Sequence, residues 1–218
     1  KLNIGNFKLF ELLINKLQIP QRWKQRLIKF FWNEKYFSEL LKRLESNLDI
    51  DPVAVAGDKK MYSKMIKLNQ KKIINGRSYK EIIKRFESKI NDPRQSETGK
   101  KSAKIIKEFL KIKCSLNNAP NILNKFFKKY DLNIFVNKDY FPIKNLKIKD
   151  TKFEFSTSIG RGREVEFYNS LIFSLDVKKK NKFVNLISGG RFDELTSKYL
   201  GLKKVPAVGA AVNLSNYE

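Results

Sequence analysis

The chain has 218 residues, 41% of them hydrophobic, which is enough for one or two domains with a real core and argues against disorder. It carries no histidine and a single cysteine, Cys114, which excludes histidine-based catalysis, the usual zinc ligand sets and an internal disulfide, and points to a reducing, cytoplasmic setting. The formal charge of +24 would suit an anionic partner, but the excess runs along the whole chain and is mostly lysine, so solvated faces are expected rather than a nucleic-acid surface.

The first elements are helical. Phe10, Leu13, Ile14 and Leu17 recur at i, i+3, i+4, i+7, and Pro20 opens a second helix with Trp23, Leu27 and Phe30 on one side. Phe37, Leu40, Leu41 and Leu44 repeat the spacing. An apolar stretch at 52–56 is followed by a helix expected around 61–74, which Asn75 and Gly76 stop. Ser78 and Glu81 form a capping-box pattern ahead of Ile83, Phe86 and Ile90. Two more helices follow, one with Ala103, Ile106 and Leu110, the other from Pro120 with Leu123, Phe126, Phe127 and Tyr130.

After about residue 150 the hydrophobic period changes from 3.6 to 2. Phe153, Phe155 and Ile159 alternate with polar residues until the glycines at 160 and 162. A long strand is then expected, with Val165, Phe167, Leu171, Phe173, Leu175 and Val177 on one face. Glu166, Tyr168, Ser170, Ser174 and Asp176 lie on the other, which is polar enough to line a cleft. Lys178 to Asn181 reads as a hairpin turn and Phe183 to Ile187 as the returning strand. Ser188, Gly189, Gly190 and Arg191 lead into a helix, after which Val205 to Val212 is small, apolar and strand-like. The fold class is α+β, an antiparallel sheet interrupted by helices. No apolar run is long enough to cross a membrane, and the opening residues do not form a signal peptide.

Three stretches carry a family resemblance. Residues 163–173, REVEFYNSLIF, resemble the histidyl-tRNA synthetase signature RGLDYYTGTVF; 189–193, GGRFD, resemble its GGRYD; and 206–209, PAVG, resemble the entrance to the third class II synthetase motif. Upstream, IGNFKLFELLINKLQIPQRWKQRL and NGRSYKEIIKRF are more similar to the family's regulatory paralogue, the subunit that accompanies ATP phosphoribosyltransferase. The resemblance implies a class II synthetase-like antiparallel sheet. Residues 1–32 would form part of its core, 33–150 a mainly helical insertion, and 151–218 the sheet with a degenerate third motif. The first two class II motifs are expected before Lys1.

Where synthetases end the third motif with a nucleotide-clamping arginine, this chain has Asn213, Leu214, Ser215 and Asn216, and asparagine cannot supply a planar charge. Glu164 and Ser170 replace two signature glycines. The resemblance therefore implies a regulatory protein with no catalytic residue, metal or cofactor of its own. Its implied partner is the catalytic subunit of ATP phosphoribosyltransferase, and histidine is the implied effector. The alternative is a divergent synthetase catalytic fragment.

The residues matching the family's amino-acid pocket are Arg163, Glu166, Tyr168, Gly189, Gly190 and Arg191. Each has a plainer role open to it. Arg163 suits a surface ion pair as well as an anion site, and Glu166 and Tyr168 could satisfy each other. The two glycines suit a tight strand-to-helix turn, with Arg191 and Asp193 as structural partners around it.

Overall fold

The computed structural model describes residues 1–46, 52–68, 73–74, 76–92, 97–141, 148–162, 167–201 and 205–216. The chain enters through a strand that its sequence did not announce, β1 (Leu2–Asn6), and passes without a loop into α1 (Phe7–Lys16). Asn6 makes the junction possible, because its side chain accepts a hydrogen bond from the Lys8 N–H and so caps the helix. Pro20 precedes α2 (Gln21–Lys29), and Asn33 caps α3 (Glu34–Glu45) through the Tyr36 N–H. The next helix, α4 (Pro52–Leu68), starts well before the expected 61, and Ile73–Ile74 is not helical but a short strand, β2, paired with β3 (Arg77–Ser78). Ser78 and Glu81 close a complete capping box at the head of α5 (Tyr79–Ile90). Then come α6 (Glu97–Leu110), an unexpected three-residue strand β4 (Lys113–Ser115), and α7 (Ala119–Lys129) with proline in its first turn.

The remaining strands are β5 (Phe153–Ser156), β6 (Leu171–Lys179), β7 (Lys182–Arg191) and β8 (Val208–Val212), with α8 (Asp193–Leu200) before the last. They form a six-stranded, mostly antiparallel sheet in the order β4-β5-β1-β6-β7-β8; β1 and β5 alone run parallel, Leu2 opposite Phe153 and Ile4 opposite Phe155. The fold is α+β, as expected.

Register divides the sheet into two unlike faces, because residues directly opposite each other share a side. Leu2, Ile4, Phe153, Phe155, Phe173, Leu175 and Ile187 share one, which is apolar there and turns polar toward Asn6 and Arg191. Asn3, Glu154, Ser174 and Ser188 share the other. There Asn3 donates to Ser174 and Asp176, Asn185 donates to Asp176, and Ser188 donates to Asn185. Beside them Lys1, Lys152 and Lys113 ring Glu154, and the Lys1 ammonium above all holds its carboxyl down at about 2.

Three expectations for this sheet need correction. The long strand begins at Leu171, since Phe167 to Ser170 are irregular, and Val165 and Glu166 lie outside the described residues. The hairpin turn is narrower, only Lys180 and Asn181, both with positive φ (44° and 64°), the two-residue geometry that matches strand twist. Gly189 and Gly190 are not in a turn; they are paired residues inside β7.

The core forms where helices converge on the β4-β5-β1 half of the sheet. Phe10 of α1 packs against Phe31, Phe37 and Phe109, and Phe7 against Trp32, with ring centroids 4.4 to 6.4 Å apart. Each such ring, fully buried, contributes roughly 1.5–3 kcal/mol. Helices α3, α6 and α7 feed this same cluster, and among the described residues none of its members lies between Leu44 and Ala103. Met65 and Tyr79 are buried elsewhere, the Tyr79 hydroxyl donating to the Met65 carbonyl over 3.1 Å.

Candidate functional site

A cavity of about 680 Å³ opens on the apolar face where β1, β6, β7 and β8 come together. That volume is in the range of small-molecule sites. Leu171 and Phe173 of β6 and Val208 of β8 give its apolar wall, and Gly190 and Arg191 its edge on β7. The opposite wall is the turn Asn137, Asp139 and Tyr140, far away in sequence. Asn6 holds that turn in place by donating from Nδ2 to the Tyr140 carbonyl over 3.0 Å while its Oδ1 caps α1. Val136 is pinned in turn by both ends of the Asn124 amide.

Among the described lining residues the cations are Lys8 and Arg191, and the anion is Asp139. Arg191 keeps Nε on the Asp193 carboxylate at 2.7 Å. Burial pushes the Asp193 carboxyl up, but the Ala207 N–H and the Arg191 guanidinium outweigh it, with Lys8 adding to them, and the carboxyl sits below its ordinary value. Arg191 and Asp193 thus pair with each other at the junction of β7 and α8, and Asp193 also ties the start of α8 to the approach to β8. The cavity can take a small polar or anionic ligand with an apolar body. Nothing in its described lining is arranged as a nucleophile beside a base.

Of the six residues singled out from the sequence, the four that are described do not all line this cavity. Gly190 and Arg191 line the cavity. Gly189 sits beside it on the apolar face, where a Cβ would fall 2.5 Å from the Gly209 carbonyl oxygen and 2.6 Å from the Phe173 ring, so close strand packing demands the glycine. A Cβ on Gly190 would collide with the Leu171 carbonyl and the Tyr168 ring. That places Tyr168 on the opposite side of the sheet, buried against Phe167 and Phe192. Arg163 and Glu166 lie outside the described residues. This cavity opens on the apolar face of the strand pattern, across the sheet from Tyr168. Sequence reasoning missed Lys8, Asn137, Asp139 and Tyr140; the polar cluster at 137–139 was the available signal.

After β8, Asn216 donates to the Asn185 carbonyl over 2.8 Å, and the Asn213 N–H donates to the carbonyl of Leu186, the residue bulged out of β7 opposite the Leu175 to Asp176 step. Asparagine here fastens the chain to its own sheet. Among the described residues no group of three or more acidic, histidine or cysteine side chains could hold a metal, and no helix is long and apolar enough to cross a membrane.

No protein-family model matches the chain. It is similar, over nearly all of its length, to proteins named ATP phosphoribosyltransferase regulatory subunit. It is 28% identical to that of Allorhizobium ampelinum over 234 residues and 27% identical to that of Rhizobium johnstonii over 231, covering 99% of this chain and 61% of the relative in each case. The chain thus spans about three-fifths of the length of the curated relatives it matches. Among solved structures, histidyl-tRNA synthetase from Nostoc sp. PCC 7120 aligns with 99% of this chain and 40% of its own, at 17% identity and a TM-score of 0.48.

Proposed function

We propose that this chain acts as a non-catalytic, histidyl-tRNA synthetase-like regulatory subunit that binds the catalytic subunit of ATP phosphoribosyltransferase in the cytoplasm and serves the first step of histidine biosynthesis. The observation that carries the reading is the similarity to proteins of that name along 99–100% of the chain. The residues at the third motif support it, since Ser215 and Asn216 stand where a synthetase needs a glutamate and an arginine, and Asn216 is engaged with β7. The cavity beside Arg191 is the place proposed for a small effector, with histidine the candidate; Arg163 and Glu166 are proposed as ligand-binding residues on the family resemblance alone, as is Tyr168, which lies across the sheet from this cavity. Regulation then requires histidine to bind the assembled states unequally, because a ligand that binds both equally shifts nothing. The division into core at 1–32, a mainly helical insertion at 33–150 and sheet at 151–218 belongs to the same proposal.

The test is co-purification with a short-form catalytic subunit, followed by a coupled assay of phosphoribosyl transfer with and without histidine. Binding and activation are expected, with no histidine-dependent pyrophosphate exchange by this protein alone. Exchange above background would replace the reading with a working synthetase. Failure to bind the catalytic subunit, together with tight, salt-sensitive RNA binding, would replace it with a nucleic-acid module.

A further inference from the structure

A second cavity, of about 670 Å³, lies where the end of α1, the start of α6 and the turn after α7 meet, and it shares none of its described lining with the first. Among the described lining residues the cations are Lys16, Lys100, Lys101 and Lys104, and the anions are Glu97 and Asp131. Lys100 is engaged by Glu97 at 2.9 Å, a carboxylate that is itself 84% exposed. Lys104 feels the Glu108 carboxylate one turn further on, but Glu108 makes its short contact, 2.7 Å, with Lys129. Lys16 and Lys101 make no ion pair among the described residues.

The lysines of α6 stand where helix physics disfavours them. Lys100 and Lys101 lie near the positive end of the helix dipole, and Lys104 repeats their charge at the i+4 and i+3 spacings, at which like charges repel. Ser102 of the same helix is only 4% exposed and lines the cavity, yet its hydroxyl has no hydrogen-bond partner among the described residues. Buried hydroxyls are ordinarily paired. An unpaired hydroxyl and an excess of positive charge thus meet in one cavity, while Leu17, Ile105 and Leu132 give it an apolar wall.

Lysine presents a compact point charge that suits the charge of a phosphate, whereas a planar carboxylate favours the fork of arginine. The volume is in the range of small-molecule sites. From this we infer that the cavity binds a phosphorylated small molecule. Lys16 and the lysines of α6 hold the phosphate, the Ser102 hydroxyl donates to one of its oxygens, and the organic body lies on the apolar wall.

Calorimetric titration of the whole chain with phenyl phosphate tests the site. Ser102→Ala keeps every charge and breaks no hydrogen bond within the protein, and it is expected to raise the dissociation constant about threefold or more. Lys16→Gln combined with Lys101→Gln, both exposed, is expected to raise it about fivefold or more. Lys59→Gln combined with Lys60→Gln removes as much charge from α4, outside the described lining, and is expected to change it by less than about twofold. The inference is overturned if phenyl phosphate does not bind, if Ser102→Ala leaves its affinity unchanged, or if the α4 pair weakens it as much as the cavity pair. It is overturned too if short single-stranded DNA displaces phenyl phosphate at equal phosphate concentration, since the lysines would then form an open nucleic-acid surface.

Discussion

The two ends of the sheet are finished in different ways. At one edge β4 is three residues long, carries Lys113, and is covered on its apolar side by helices and by the run through Phe141, whose ring meets Phe155 at 5.1 Å. At the other, β8 reads VGAAV, with Val208 77% exposed and Val212 54% exposed. Short, charged, covered edges resist pairing with other chains, whereas uncharged and open ones invite it. The covered end draws its stability from burial; the open end draws its order from backbone pairing and close approach of glycines.

The sharpest way to separate the two is to remove a ring from the covered end. Phe37→Ala, at a site with no exposure, is expected to cost about 3–5 kcal/mol in urea unfolding. A loss below about 1 kcal/mol would mean that the aromatic cluster is not what holds that end together. Next comes Gly189→Ala at the open end. Its added methyl has the Gly209 carbonyl and the Phe173 ring in its way, so a loss of about 1–3 kcal/mol is expected, with β8 losing amide protection before β1 does. Equal loss of protection in both strands would erase the contrast. The smallest effect on stability should come from Val212→Lys, within about 0.5 kcal/mol of the parent. Its signature lies elsewhere: if β8 is the sticky edge, light scattering of concentrated samples should fall.

The same division explains what could be read in advance. The covered end is built from amphipathic helices, and stripes such as Phe37, Leu40, Leu41 and Leu44 reveal their buried side locally. The capping box at Ser78 was legible for the same reason, since both of its partners lie within one turn. Strands β1 and β4 were not, because five and three residues are too few to show a period, and β1 is a strand only by virtue of β5 and β6 on either side. The cavity was half legible. Gly190 and Arg191 come from a quotable motif, but Lys8 and the turn at Asn137 reach it through pairings more than a hundred residues long, and the face on which it opens depends on register.

The position of β1 also sets a timetable for synthesis. Leu2 is paired with Phe153 on one side and Leu175 on the other, so this strand must wait for two partners made much later. At about 5–20 residues per second, that wait is roughly ten to thirty seconds on the ribosome. Meanwhile α1, α2 and α3 are already out and can gather around Phe10 and Phe31. A nascent chain stalled before residue 153 would therefore hold these helices together while Leu2 and Ile4 still lack both of these strand partners, a natural substrate for a holding chaperone.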